Sequence, residues 1–370
     1  MKNTITAAVV IKAFLLLSFL SSVASAQTFL DRQNADSFRM ACYNVYFDTL
    51  FESQGIAELT RFVDAVDADV YCFQEAFDTS SAEVQTIFNQ IAPLPSGSWH
   101  VHKGRNQLTV SRYALSLLET NIPNGTRGIA MAQVDLPDDQ FSNDMYILNN
   151  HFPCCSFGED QRIDEAFAIA DWMRDAMTVG GNVDLDPNTA IAVVGDLNIV
   201  GNGFALDVLI GGISITDWDD TAMLDANPTH NAAGVDDYTW RNDFSSFDPG
   251  VLDYILYTDS VISVDHSFVL NPSAMSAEDL AASGLQATDM MRTKLLGPFD
   301  FDHLPLIVDF APNLTPIILG DVNCDGQVDF TDISPFIALL SNGEFSEKAD
   351  MNLDGSVDFL DISGFIIALS

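Results

Sequence analysis

Ala190-Ile191-Ala192-Val193-Val194-Gly195-Asp196-Leu197-Asn198 is a five-residue apolar run that ends, after one glycine, in a carboxylate and an amide. An apolar run this short reads as a strand. Asp and Asn are depleted from strands, so their place at its end calls for a separate explanation. The same form recurs along the chain: Met40-Ala-Cys-Tyr-Asn44, Val70-Tyr-Cys-Phe-Gln-Glu75, Ile147-Leu-Asn-Asn-His151, Val251-Leu-Asp253-Tyr-Ile255 and Phe301-Asp302-His303-Leu-Pro305. Six runs that each deliver an Asn, a carboxylate or a His at a strand end, where active sites collect, are hard to obtain by chance.

Around these runs, short apolar stretches alternate with helical stretches and turn-rich loops from Phe38 to Phe310, which argues for a mixed α/β domain. Strands are expected at 39–46, 70–74, 109–111, 131–135, 145–149, 190–194, 252–257 and 304–310, and helices at 55–66, 80–91 and 163–178. In the last helix Ile163, Phe167, Ile169, Ala170 and Met173 are expected to be buried, with Asp164, Glu165 and Asp171 on the other side. Residues 271–298 lack periodicity and read as a surface loop; Ala311-Pro-Asn-Leu-Thr-Pro316 reads as a linker.

Further along, one twelve-residue loop is written twice, as Asp321-Val-Asn-Cys-Asp-Gly-Gln-Val-Asp-Phe-Thr-Asp332 and Asp350-Met-Asn-Leu-Asp-Gly-Ser-Val-Asp-Phe-Leu-Asp361. Oxygen-bearing side chains fall at loop positions 1, 3, 5, 9 and 12, namely Asp321, Asn323, Asp325, Asp329, Asp332 and Asp350, Asn352, Asp354, Asp358, Asp361. Gly326 and Gly355 hold position 6, where a chain turns sharply around a hard cation, so the spacing reads as Ca²⁺. A matching apolar segment follows each copy, read as one short helix apiece, and no helix-forming segment precedes either. Loop-plus-helix pairs of this kind, with Asp at position 12, resemble type I dockerin modules. The resemblance implies a calcium-folded tail that docks onto a cohesin-like or surface protein. Domain limits follow as 1–26 for an export signal, 27–311 for the main domain, 312–319 for the linker and 320–370 for the tail.

Composition limits the function classes. The chain of 370 residues is 48% hydrophobic, enough for a packed core and too apolar for a disordered one. Lys2, the apolar run Ala13–Leu20 and Ala24-Ser25-Ala26 form a charged start, a short greasy middle and a small-residue cleavage site, with Gln27 as the expected first mature residue. An extracellular or cell-surface location without a transmembrane anchor follows. A formal charge of −38 repels polyanions, so tight nucleic-acid binding through cation–phosphate contacts is disfavoured. Turnover of a phosphate ester is compatible with such a surface when a metal ion supplies positive charge. Among five cysteines, Cys42 and Cys72 lie in strand-like runs and read as packing residues, while Cys154 and Cys155 are adjacent and can bond to each other.

The six runs, in this order, look like the endonuclease/exonuclease/phosphatase superfamily, which includes deoxyribonuclease I, exonuclease III, the inositol polyphosphate 5-phosphatases and the neutral sphingomyelinases. The resemblance covers about Phe38 to Phe310. It implies a four-layer α/β sandwich, two central mixed sheets flanked by helices, with the small all-α calcium-loop module appended. It also implies a divalent-metal phosphoesterase. Hydrolysing a phosphoester requires neutralising growing negative charge, deprotonating a water and protonating a leaving oxygen. Glu75 and Asn44 are hard oxygen ligands suited to Mg²⁺ (or Mn²⁺), with Glu75 as principal ligand and Asp302 assisting. By analogy with the family, Asp196 orients or deprotonates water and Asn198 donates to a phosphoryl oxygen, their i, i+2 spacing placing both on one strand-end face. His303, held in its tautomer by Asp253, and His151 carry protons. Arg105, next to Asn106, and Arg162 are candidate clamps for a substrate phosphate.

The residue before the Asp302-His303 pair departs from the family pattern: Phe301 stands where a small polar residue is expected. Tyr238-Thr-Trp240 reads as a loop above the site, suited to stacking or packing, and His100, His102, His230 and His266 read as surface or packing residues. The first functional reading is a nuclease-like phosphodiester hydrolase. A phosphomonoesterase or sphingomyelinase-like lipid hydrolase is the second, although no turn carries the aromatic pair that a membrane-facing hairpin needs. A non-catalytic scaffold acting through its calcium tail is the third, and the complete polar set argues against it.

Overall fold

The computed structural model describes residues 28–116, 129–232, 234–290, 301–313, 319–323, 327–346 and 348–369. The expected signal segment, the middle of the linker, Cys324, Asp325 and Gly326 lie outside them. One six-stranded sheet is built from β1 (Phe38–Asn44), β2 (Val70–Gln74), β3 (His100–Lys103), β4 (Leu108–Ser111), β11 (Val264–Val269) and β12 (Leu306–Phe310), in the order β11-β12-β1-β2-β4-β3. A second is built from β5 (Leu115–Ser116), β6 (Ile129–Val134), β7 (Met145–His151), β8 (Ala190–Asp196), β9 (Leu224–Asp225) and β10 (Asp253–Tyr257), in the order β5-β6-β7-β8-β10-β9. Each sheet holds one central parallel pair, β1 with β2 and β7 with β8, among antiparallel neighbours.

Alternation along the strands separates three apolar layers. Met40 and Cys42 of β1, Val70 and Cys72 of β2, Ile147 of β7, Ala192 and Val194 of β8 and Val308 of β12 meet between the sheets. The opposite parity, Ala41, Tyr43, Tyr71 and Phe73, faces α1 (Ile56–Val66) and α2 (Ser81–Ile91). Leu148, Ile191, Val193 and Leu256 of the second sheet face α3 (Glu159–Ala176) and α4 (Phe204–Ile210). Helix, sheet, sheet, helix is the four-layer sandwich that the family resemblance implied. Cys42 and Cys72 are fully buried in its middle layer, and their thiols are pushed up by burial.

Several boundaries move, each for a physical reason. Strands β7 and β8 continue two residues past their expected ends, because His151 and Asp196 still pair with each other across the parallel ladder. Strand β12 starts at Leu306 because Pro305 has no N–H for the ladder. Helix α3 begins at Glu159 rather than Ile163, with Glu159 and Asp160 in its first turn, where carboxylates suit the N-terminal end of the macrodipole. Its buried face is Arg162, Glu165, Ala166, Ile169, Ala170 and Met173, so Glu165 is inside and Phe167 is exposed, the reverse of the expectation. The described part of the run expected to be a bare loop contains α5 (Ala277–Ser283), capped by Ser276 accepting from the Asp279 N–H.

In the tail, α6 (Ile333–Asn342) and α7 (Ile362–Ala368) follow the two loops and bring Phe336 and Phe365 into a stack, centroids 4.0 Å apart, over Ala349 and Val357. The two loops repeat the same backbone contacts to the Asp at position 12. Asp332 accepts from the N–H groups of Asn323 and Asp329, and Asp361 from those of Asn352 and Asp358. Asp350 accepts from the Gly355 N–H at 2.9 Å, across a position whose φ of +84° suits glycine.

Candidate active site

Strand parity and register put the polar strand ends in one place. Asn44 continues the inward set of Met40 and Cys42; Asp196 continues that of Ala192 and Val194. In the second sheet His151 pairs with Asp196 and Asp196 with Asp253, giving a row of three across adjacent strands. Gly195 makes this row possible. Its φ is +135°, and a Cβ there would sit 2.0 Å from the carbonyl oxygen of Asn150.

The row meets the first sheet on a single oxygen, Oδ2 of Asp196. It accepts from Asn44 Nδ2 at 3.0 Å and lies 3.7 Å from Nε2 of both His151 and His303. His151 Nε2 is also 3.8 Å from Glu75 Oε1, and His303 Nδ1 stands 2.7 Å from Asp253 Oδ2. Glu75 follows β2 with φ of +63°, which turns its carboxylate over the end of β1, where Oε2 accepts the Phe47 N–H at 3.2 Å. Asp302 completes the set from the segment before β12, and its Oδ2 accepts from Trp240 Nε1 at 3.1 Å.

Burial pushes the Asp196 carboxyl up to about 7, with Asp253 and Glu75 adding to the effect and His303 opposing it. Burial also raises Glu75, against the pull of His303 and the Asn44 amide. For His303, burial disfavours the charged ring, yet Asp253 and Asp196 outweigh it and hold the imidazole well above its usual value. Asp196, Asp253 and His303 each offer a ligand atom within 4.8 Å of the others. Glu75 and Asp302 bring the carboxylates to four, and Asp253 Oδ1 is buried without a hydrogen-bond partner among the described residues. Hard oxygens in excess of local positive charge fit a divalent cation.

Not every expected residue takes its expected posture. Asn198 does not share a strand face with Asp196. The strand ends at Asp196, Asn198 turns to φ of +49°, its N–H closes on Asp196 Oδ1 and its Nδ2 donates to the Phe152 carbonyl at 3.0 Å. Arg162, expected against a phosphate, is 1% exposed, and its guanidinium donates to the carbonyls of Pro153, Cys155 and Val200. It fixes the loop after His151. Arg105 stands exposed in the β3–β4 turn. Phe301 is core, packed on Tyr43. The sulfurs of Cys154 and Cys155 lie 2.7 Å apart. His230 is a packing residue, bonded to the Asn271 amide and the Tyr238 carbonyl.

Three contributors make contacts that sequence reading did not specify. Asn106 places its amide 3.0 Å from His151 Nδ1. Thr239 accepts the N–H groups of Leu252 and Asp253 on its hydroxyl, fixing the start of β10, and Trp240 holds Asp302. Asn106 beside Arg105, and Thr239 and Trp240 in the loop read as lying above the site, had carried a signal, but not these contacts.

A cluster of carboxylates and imidazoles where two sheets meet is chemistry suited to phosphoester hydrolysis, and it includes a possible site for a divalent metal. Residues 41–283 match the Endonuclease/Exonuclease/phosphatase family, and the chain belongs to that family. Residues 319–369 match the dockerin type I domain. Among curated proteins none matches the sequence significantly. Among solved structures, an endonuclease/exonuclease/phosphatase family protein of Bacteroides thetaiotaomicron is similar at 16% identity and TM-score 0.48, over 75% of this chain and 98% of its own. TDP2 of D. rerio, solved with a single-strand DNA product, is similar at 15% identity and TM-score 0.47, over 74% and 98%. The mannosyl-6-phosphatase of Bacteroides thetaiotaomicron is similar at 16% identity and TM-score 0.48, over 74% and 100%. Among the described residues no helix is long and apolar enough to cross a membrane.

Proposed function

We propose that this chain is a secreted phosphodiester hydrolase of nuclease-like type, dependent on Mg²⁺ or Mn²⁺, carried by a main domain of residues 27–311 and tethered through a Ca²⁺-binding tail of residues 320–370 to a cohesin-like partner. The observation that supports it is the convergence of Asn44, His151 and His303 on Asp196 Oδ2.

Glu75, Asn44 and Asp302 would hold the cation, which when bound supplies charge neutralisation for the phosphoryl oxygens. Asp196, its carboxyl lifted towards neutrality, is suited to take a proton from the attacking water. His303, kept charged by Asp253, faces the same point with Nε2 and places a positive ring against the phosphoryl group. The Asn106 amide at Nδ1 orients the His151 ring so that Nε2 faces the space between Glu75 and Asp196. In its imidazolium form that ring is placed to protonate the leaving oxygen. The natural substrate is best sought with a panel of plasmid DNA, RNA, sphingomyelin and sugar phosphates, each with Mg²⁺, Mn²⁺ and Ca²⁺. Cleavage of a diester with Mg²⁺ supports this reading; release of phosphate from monoesters alone would replace it.

A further inference from the structure

Two exposed rings stand beside Glu75. Phe47 is 61% exposed and Phe77 43%, although both belong to loops tied into the core. Their rings stack on each other, centroids 5.4 Å apart and planes 25° from parallel, and Tyr46 meets Phe47 edge-on at 5.2 Å. The pair is assembled from two loops, after β1 and after β2, which is why no single turn in the sequence carries it. Exposed apolar rings cost hydration free energy, and this pair is held in place by unusual means.

Tyr46, Phe47 and Asp48 all have left-handed φ, +45°, +53° and +61°, a conformation that bulky side chains rarely adopt. The turn is pinned from both sides. The Asp48 carboxylate accepts the N–H groups of Phe77, Asp78 and Thr79 at 2.9, 3.0 and 3.0 Å, and its own N–H donates to the Glu75 carbonyl. Lys103 Nζ donates to the carbonyls of Phe77 and Thr79. The Phe47 N–H reaches Glu75 Oε2, so ring and carboxylate share one rigid frame. The adjoining groove, about 640 Å³, is lined by Phe47, Phe51 and Ile87 together with the carboxylates of Asp48, Glu52, Asp78 and Glu83. A second phosphate would be repelled there, whereas an uncharged ring would not.

We propose that Phe47 and Phe77 form a stacking platform for a nucleobase of the substrate, so that the hydrolase selects nucleoside-bearing phosphodiesters. The inference rests on the phosphodiesterase reading above and names its substrate class. A chain with a net charge of −38 lacks the cations that usually grip a polynucleotide, and base–aromatic stacking is the recognition that needs none.

The test uses the full chain with Mg²⁺ and three p-nitrophenyl phosphodiesters whose second alcohol is thymidine (5′), glucose (6) or methanol. Compared with wild type, Phe47→Ala and Phe77→Ala should each lower the ratio of kcat/KM for the thymidine ester over the methyl ester by about tenfold or more, and Phe47→Trp should preserve it. A ratio within about twofold of wild type in both alanine variants overturns the platform. An equal fall for the glucose ester assigns it to a sugar face, and loss of cosedimentation with sphingomyelin vesicles at constant ratio assigns it to lipid; either outcome overturns the nucleobase. If wild type hydrolyses none of the three, the catalytic reading fails by itself. Calorimetric binding of the thymidine ester then decides the platform: weakening by about tenfold in Phe47→Ala supports it, and equal affinity overturns it.

Discussion

Nδ1 of His303 stands 2.7 Å from Oδ2 of Asp253, a pair fifty residues apart in sequence and buried from solvent on both sides. Asp253 opens β10 and His303 precedes β12, so the contact bridges the two sheets at their open end. It turns Nε2 of the imidazole towards Asp196.

If this pair works as a unit, Asp253→Asn and His303→Ala should each lower kcat by about 100-fold or more, and the double variant should be little worse than either single one. Steady-state kinetics on bis-p-nitrophenyl phosphate tests this. Additive losses would mean that the two residues act separately.

The buried pair Arg39–Asp309 predicts how the fold responds to acid. Arg39 Nε and Nη2 grip the two carboxylate oxygens at 2.6 and 2.7 Å, with both side chains almost fully enclosed. Burial raises the Asp309 carboxyl, but the hydrogen bonds and charge of Arg39, with His266, outweigh it and hold it below the usual carboxylate range. A depressed folded-state pKa contributes stability that is present above the unfolded value, near 4, and lost as pH falls through the folded value. Arg39→Met leaves an uncompensated buried carboxylate and should cost about 3–5 kcal/mol at neutral pH. Urea melts of both proteins from pH 7 to 3 should show that difference shrinking as Asp309 protonates; a constant gap would reject the assignment.

Gly195→Ala should destabilise the main domain by about 3 kcal/mol or more, because the new methyl meets the Asn150 carbonyl and the backbone sits at φ of +135°. Thermal melting measures it. A variant melting within about a degree of wild type would show that the ladder there relaxes easily.

Removal of calcium should act on the tail alone. Chymotrypsin acting on the full chain in excess chelator should trim residues beyond 320, at sites such as Phe336 and Phe365, while leaving the sandwich intact; added Ca²⁺ should protect both. Equal protection with and without calcium would contradict the reading of the two loops.

The two-sheet architecture and the candidate site residues followed from the order of the six runs and their likeness to a known family, and strand parity accounts for why those residues meet. Asn44 follows Met40 and Cys42 on one face, and Asp196 follows Ala192 and Val194. That reasoning stops where the strand stops. At Asn198 the chain leaves β8 for a left-handed turn, so i, i+2 spacing no longer implies a shared face. Arg162 shows a second limit: charge marks a residue as polar, but only the surrounding carbonyls of Pro153, Cys155 and Val200 reveal that its donors are already engaged. Trp240, Thr239 and the Phe47–Phe77 pair come from loops without periodicity, and their roles exist only as contacts between distant segments.

The most direct test of the central claim pairs Mg²⁺ binding with Mg²⁺-dependent hydrolysis of bis-p-nitrophenyl phosphate in wild type and Glu75→Gln, which keeps the shape of the side chain and removes its charge. Wild type should bind Mg²⁺ and turn over, while the variant should bind it at least about tenfold more weakly and lose about 100-fold or more in kcat/KM. A variant that hydrolyses the ester within about threefold of wild type, or a wild type indifferent to both Mg²⁺ and Mn²⁺, would contradict the account.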